Sequence, residues 1–482
     1  MSVDWEKKQL SDVVELIIDN RGRNPKSYAT EGIPVIDNFL ITSDGEANLG
    51  IVKRFIDEET YNSFLRKHIQ KDDVLMTLVG NGYGKVATTP IERCAIIQNT
   101  IGLRCNKNNN NQFLYYLLKS NRESLINLNR GAAQPSIKVG DVLNLEFKFP
   151  PIEKQKRIAS ILVSLDKKIE LNRQTNQTLE QIAQAIFKSW FVDFEPVKAK
   201  IIIKEKGGNA LAQSLAAQAI ICGAITLDEL EKLEEHYPGL EHVLHPLVTN
   251  KFPEQTGLDF WQPEALKNTA ALFPDALVES ELGEVPEGWE ITELGKILEF
   301  NPKRTLKKGT LAPYLDMKNV PTQGHLADDV YMREMASGTK FINGDTLLAR
   351  ITPCLENGKT AYVDFLDNEQ VAWGSTEYIV MRPKNNRPMS LGYIIARLDS
   401  FRFKAIQTMT GTSGRQRANA KALSDQSWVD YPTRLLNIYD LVAGSYLKKA
   451  KINGDENKIL SELRDALLSK LLSGELNVGK EV

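Results

Sequence analysis

The chain has 482 residues, 42% of them hydrophobic and 25% charged, with a net charge of −2. That length exceeds what a single core supports and points to several domains. The near-neutral balance excludes the overall basicity common among nucleic-acid-binding proteins, so phosphates would have to be met by Lys and Arg gathered on one face.

At the N-terminus no basic segment precedes an apolar core, so no leader is expected. No stretch reaches the ~18 unbroken apolar residues of a membrane span. The nearest, Leu215 to Leu227, is broken by Gln218 and Gly223. A cytoplasmic protein without membrane contact is the expectation. Cys94, Cys105, Cys222 and Cys354 are scattered without C-x-x-C spacing, which predicts buried free thiols rather than a zinc site or disulfides.

Residues 1–150 read as a mixed α/β domain. Val13 to Ile18 opens it and a polar turn from Asp19 to Pro25 follows. Ile33–Asp37, Asp73–Thr77 and Ala95–Ile97 predict buried strands, Phe113 to Leu118 a helix, and Leu143 to Phe149 a closing strand before Pro150-Pro151.

Residues 151–195 carry a heptad seam of Leu162, Leu165, Ile169, Asn172, Asn176, Leu179, Ala183, Ile186 and Trp190. Residues 196–285 read as a linker or insertion, basic at first (Lys198, Lys200, Lys204, Lys206) and then helical. His236, His242 and His245 within it lack metal-ligand spacing and read as surface histidines, so no metal site is expected.

Residues 286–432 then repeat the first domain. Gly288-Trp289-Glu290 echoes Trp5-Glu6, Pro313–Asp316 echoes Pro34–Asp37, and Gly358-Lys359-Thr360-Ala361 echoes Gly84-Lys85-Val86-Ala87. Residues 433–476 repeat the helix, with Ala443, Tyr446, Ala450, Asn453, Asn457, Leu460, Arg464, Leu467 and Leu471 on its seam, and 477–482 form a tail. Asn172, Asn176, Leu179, Ile182 and Ile186 match Asn453, Asn457, Leu460, Leu463 and Leu467 at one constant offset of 281. Polar seam residues at matched places suit two helices packed on each other, since such residues fix register at a cost in stability. Gly454 is a possible interruption of the second helix.

Catalytic motifs are missing. Gly358-Lys359-Thr360 lacks the leading glycine of a phosphate-binding loop, Pro353 standing there instead, and Gly80 to Lys85 is followed by Val86. No dinucleotide fingerprint, H-E-x-x-H or G-x-S-x-G occurs. Two copies without a recognisable site favour binding over catalysis.

Pro150-Pro151-Ile152-Glu153-Lys154-Gln155-Lys156-Arg157-Ile158-Ala159, running through Leu165-Asp166 to Ile186–Phe194, resembles the central repeat of type I restriction–modification specificity subunits. Leu272 to Trp289 is similar to their approach to the second recognition domain, and Leu463 to Leu476 to their C-terminal repeat. The resemblance spans nearly the whole chain except about 197–271. It implies an α/β (α+β) fold of two homologous target-recognition domains separated by two long helices forming an antiparallel coiled coil, without catalysis. The partners it implies are double-stranded DNA, two methyltransferase (modification) subunits, and restriction/translocase subunits. No cofactor is expected on this chain; S-adenosylmethionine, ATP and Mg belong to the partner subunits.

Base-reading residues in such modules sit at loop tips. The DNA-binding candidates in the first domain are Asn20, Arg21, Arg23, Asn81, Tyr83, Lys85, Arg130 and Gln134. In the second they are Asn301, Lys303, Arg304, Arg350, Asn357, Lys359, and Arg415, Gln416 and Arg417 beside Gly411-Thr412-Ser413-Gly414. Arg suits guanine, Asn and Gln suit adenine, and Lys suits phosphate. Asn172, Asn176, Asn453 and Asn457 are the candidate register residues. A protein–protein adaptor on a coiled-coil stem is the alternative, and an enzyme of undetected type a third reading.

Overall fold

A computed structural model describes residues 5–42, 45–80, 82–131, 135–233, 240–251, 262–367, 369–412 and 414–476. Asn81, Gln134, His236, Ser413 and the tail 477–482 lie outside the described residues. The chain divides into two units, Met1–Leu171 with Glu456–Val482, and Asn172–Asp455.

In the first unit, β1 (Glu6–Gln9), β2 (Val14–Ile18), β3 (Val74–Thr77), β4 (Val86–Thr88) and β5 (Thr100–Cys105) precede α1 (Asn111–Ser120), β6 (Glu146–Phe149) and the long α2 (Ile152–Phe187). β1 pairs with β6, and the others form an antiparallel sheet in the order β2-β5-β3-β4. Every residue of β3 is buried, as expected of a central strand covered on both faces. α1 lays Phe113 to Leu118 into the core, and Asn110 caps it by accepting from the Phe113 amide at 2.9 Å.

Two strand expectations contract. Ile33–Asp37 pairs only over Ile33–Pro34, and of Ala95–Ile97 only Ala95 makes a single bridge, to Val35. Short apolar runs mark burial and do not distinguish a strand from a buried loop. Conversely β5, second in the sheet, goes unread because Gly102 and Arg104 break its apolar pattern. Gly102 is required there, since a Cβ would sit 2.9 Å from Ile69 Cγ2.

The second unit begins within α2 and continues through α3 (Glu195–Glu205), α4 (Ala210–Ile221) and α5 (Leu240–Lys251). Residues 196–285 are therefore more than a linker: Ala199, Ile203, Ala212, Leu215, Ala216, Ile220, Leu230 and Leu244 form a small core of their own. The basic residues of this stretch serve the fold. Lys200 is buried and donates to the Phe273 carbonyl, Lys204 pairs with Asp275 at 2.9 Å, and Lys206 donates to the carbonyls of Glu231 and Leu233. His242 and His245 are exposed on α5, and among the described residues no group of three or more His, Cys, Asp or Glu is placed to hold a metal ion. No helix among them is long and apolar enough to cross a membrane.

Next come β7 (Glu290–Glu293), β8 (Leu298–Phe300), β9 (Leu311–Leu315), β10 (Tyr331–Glu334), β11 (Thr339–Phe341), β12 (Thr346–Ala349), β13 (Thr360–Tyr362), β14 (Ala372–Gly374) and β15 (Tyr378–Pro383). The unit closes with α6 (Ser390–Arg397), β16 (Ser427–Asp430) and the first part of α7 (Thr433–Ser473), whose remainder returns to the first unit. The sheet β8-β15-β12-β13 repeats β2-β5-β3-β4, and the pair β7/β16 repeats β1/β6. A second sheet, β10-β9-β14-β11, has no four-stranded counterpart among the described residues of the first unit.

The repeat extends to a buried charge. Asp73, 1% exposed, receives Arg104 at 2.9 and 2.7 Å and the Gln70 amide at 2.7 Å. Asp345, 0% exposed, receives Arg382 at 2.7 Å and the Ile342 amide at 2.9 Å. Each carboxylate ties a turn three residues upstream to the neighbouring strand, and stranding either by loss of its arginine costs about 3–5 kcal/mol.

α2 and α7 run antiparallel within each unit. In the first, Asn457 donates to the Ile169 carbonyl (3.2 Å) and Arg464 to Asp166 (2.8 Å). Asp166 also accepts from the Tyr116 hydroxyl at 2.7 Å. In the second, the Tyr439 hydroxyl donates to the Ala183 carbonyl (2.9 Å), and the Asn176 amide to the Ala450 carbonyl (2.9 Å). All the heptad positions named above are buried or half-buried. Ile182 and Leu463, matched in sequence, instead face outward at 39% and 45% exposure. Gly454 does not interrupt α7: a Cβ there would lie 2.5 Å from Leu326 Cδ1, so the glycine admits a close neighbour.

Candidate nucleic-acid interface

Strand direction gathers the candidate loops. β8 is antiparallel to β15 and β15 to β12, so β8 and β12 point the same way. Their C-terminal ends therefore share one edge, which brings 301–304 beside Arg350 and beside Thr376–Tyr378 at the start of β15. In the first unit the same logic brings 19–23 beside 78–80.

A third loop closes on that edge in both units, held the same way. The Ile137 amide donates to the Leu78 carbonyl at 2.9 Å and the Gly80 amide to the Pro135 carbonyl at 3.1 Å. Correspondingly, the Ala418 amide donates to the Arg350 carbonyl at 2.8 Å and the Thr352 amide to the Gln416 carbonyl at 3.0 Å. Leu78 and Arg350 thus occupy equivalent places, as do Pro135 and Gln416. Gly411, at φ +128°, opens the second of these loops; a Cβ there would stand 3.0 Å from the Arg415 carbonyl oxygen.

Of the first-unit candidates, Asn20 requires correction. It is 1% exposed, donates to the carbonyls of Lys67 (2.8 Å) and Ile96 (3.2 Å), and accepts from the Arg66 and Lys67 amides. Its hydrogen-bonding capacity is spent on holding a loop. Arg21 pairs with Asp19 through two bonds of 2.9 and 2.6 Å, and that guanidinium holds the Asp19 carboxyl below its ordinary range. Arg23 lies over the Phe64 ring, Tyr83 packs half-buried on the core, and Lys85 is half-buried. Arg130 pairs with Asp141 at 2.6 Å while remaining 58% exposed.

In the second unit Lys303, Asn357 and Arg415 are exposed. Asn301, at φ +52°, accepts from the Val380 amide at 3.0 Å. Arg304 reaches Asp345 at 3.2 Å, and Arg350 is half-buried at the end of β12. Two more candidates are engaged within the chain. Lys359 donates to the carbonyls of Met317 (2.7 Å) and Lys318 (3.1 Å), which stitches a turn. Arg417 grips Glu377 with Nε at 3.0 and 2.9 Å and an Nη at 2.8 Å, so its side chain anchors the loop; Gln416 beside it is half-buried. The cluster that forms is Asn301, Arg304 and Arg350, joined by Lys340 from β11, a residue whose isolated place in the sequence gave no signal.

Comparison with known proteins places this architecture. Residues 2–181 match the family model described as the type I restriction modification DNA specificity domain. The chain is 27% identical over 433 residues to the type I restriction enzyme HindI specificity subunit of Haemophilus influenzae, covering 85% of this chain and 88% of the relative. It is 22% identical over 500 residues to the MjaIX specificity subunit of Methanocaldococcus jannaschii, covering 98% and 94%. Its fold is similar to the crystal structure of a type I restriction–modification S subunit from M. genitalium, with TM-score 0.51 and 14% identity over 98% of this chain and 96% of that one. Over these lengths the chain is similar to type I restriction–modification specificity subunits.

Proposed function

We propose that the chain reads DNA sequence for a type I restriction–modification complex, each sheet-bearing unit contacting one half of a split site. The observation that carries this is the duplicated edge: both units bring three loops to the same end of the sheet and tie the third to the second by the same backbone bonds, while side chains such as Leu78 and Arg350, or Pro135 and Gln416, differ there. A common frame with divergent tips suits two half-sites of different sequence.

The α2/α7 pair supplies spacing. At ~1.5 Å per residue the seam from Leu162 to Trp190 spans about 40 Å, near the ~34–36 Å of one DNA turn. The same helices offer docking for two methyltransferase subunits, with restriction/translocase subunits joining for cleavage. Catalysis, and with it S-adenosylmethionine, ATP and Mg, resides on those partners, in the cytoplasm. Sequencing methylated positions in a genome that expresses the complex tests the reading. A bipartite motif with a fixed spacer is expected; a continuous motif, or no methylation traceable to this chain, would sink it.

A further inference from the structure

The edge of the second unit holds a cavity of about 300 Å³ whose charge is one-sided. Arg304 enters it from the segment after β8, Arg350 from the end of β12, and Lys340 from β11, with Asn301, Thr339 and Thr376 between them. None of the residues lining it is acidic. Two carboxylates adjoin these residues and both are already engaged: Asp345 is fully buried and bound by Arg382 at 2.7 Å, by the Ile342 amide and by Arg304 at 3.2 Å, and Glu377, between Thr376 and Tyr378, is held by Arg417 at 2.8 Å.

Two donors in the cavity wall are unsatisfied. Nε of Arg304 and Nε of Arg350 are both buried and meet no acceptor. A buried donor in that condition is costly, by about 1–3 kcal/mol. Neither Lys340 nor the Arg350 guanidinium makes a side-chain hydrogen bond or ion pair among the described residues. Three like charges converging on one hollow repel each other, and an anion relieves both the repulsion and the unsatisfied donors.

We infer that this cavity is a phosphate site, which takes a single tetrahedral phosphate group between Arg304, Lys340 and Arg350. The inference rests on the DNA reading above for its source, the backbone of the duplex; inorganic phosphate is the other source with the same chemistry. Among the described residues the first unit has no equivalent arginine there, because the place of Arg350 is taken by Leu78, which is fully buried. The two units therefore grip DNA unequally, and the second supplies an anchor that does not depend on sequence.

The test uses the full chain in its methyltransferase complex, with Lys340→Ala and Arg350→Leu. The latter copies the residue of the first unit and so preserves packing. Each variant is expected to weaken cognate and non-cognate duplexes by a common factor and to lower the slope of log affinity against log salt by about one unit. The methylated motif should stay unchanged, and a duplex with one neutral methylphosphonate at the contacted linkage should bind wild type and Arg350→Leu equally. Unchanged slopes in both variants, or relaxed choice at one base, overturn the site. Should the wild-type complex fail to bind duplex, inorganic phosphate is titrated against the chain and followed by its ³¹P linewidth. Saturable binding lost in both variants would keep the anion site and remove the DNA reading; no binding would remove both.

Discussion

The side-chain amide of Asn453 donates to Oδ1 of Asn176 at 2.8 Å, across α7 and α2, while Asn176 donates onward to the Ala450 carbonyl. Sliding either helix by a turn would bury both amides against apolar neighbours. Asn176→Ala alone leaves Asn453, 3% exposed, without its acceptor and should cost about 1–3 kcal/mol. Replacing both with Leu removes the unsatisfied group and should be close to neutral. Thermal melts of the two single variants and the double one measure this, and additive losses would show that the pair is not coupled.

Because the helices are antiparallel, spacing changes only when both lengthen together. Four residues inserted into α2 and four at the facing level of α7, about one turn or ~6 Å, should lengthen the spacer by one or two base pairs with both half-sites intact. Motif mapping decides, and an unchanged spacer at full activity would take the ruler role away from the helices.

Arg415 and Arg417, two residues apart, should behave differently. Arg415 is exposed, so Arg415→Ala should leave the melting temperature unchanged and weaken binding, by ~1–3 kcal/mol with relaxed choice at one position if it reads a base. Arg417→Ala should act only through the loop it anchors, and Glu377→Gln should reproduce its effect with no further loss in the double variant. Independent effects of Arg417 and Glu377 would return Arg417 to the interface.

The sheet-bearing part of the first unit closes where β6 lies against β1, which suits exchange of 1–150 as a cassette. Exchange for the matching segment of a relative should change one half of the methylated motif and spare the other. A change in both halves would count against independent reading.

Burial raises the thiols of Cys94 and Cys105 from an ordinary value of 9.0 to about 12. In the folded chain both should resist alkylation at pH 8, whereas half-buried Cys354 reacts. The same shift fixes an alkaline limit. Unfolded thiols release protons near 9 and folded ones near 12, so stability present below pH 9 declines as pH rises between those values. Equal labelling of all cysteines in native protein would contradict this burial.

The sequence displayed the repeat and the helix seam because periodicity and constant offset survive in one dimension. Asp73–Thr77, Phe113–Leu118 and the close of the domain near Phe149 were equally legible. The sequence marked polar, glycine-flanked loops that the fold brings to one edge, but not the state of their side chains. Asn20 is satisfied by residues 46 to 76 positions away, Lys359 by carbonyls about 40 away, and Arg417 by a carboxylate 40 away. A polar loop residue reads alike whether its partner is solvent, DNA or a distant stretch of its own chain. Lys340 escaped notice for the converse reason: nothing near it in sequence marks the cavity it lines.

The duplicated pairs Asp73–Arg104 and Asp345–Arg382 also bear on how such a chain changes over generations. Loss of Arg104 alone strands Asp73, and loss of Asp345 alone strands both Arg382 and Arg304, so replacement within either pair is costly and the frame resists drift. Residues at the loop tips carry no such penalty. Variation is thereby channelled toward the loop tips, and if that edge reads DNA as proposed, new specificities would arise on a scaffold that single mutations tend to damage.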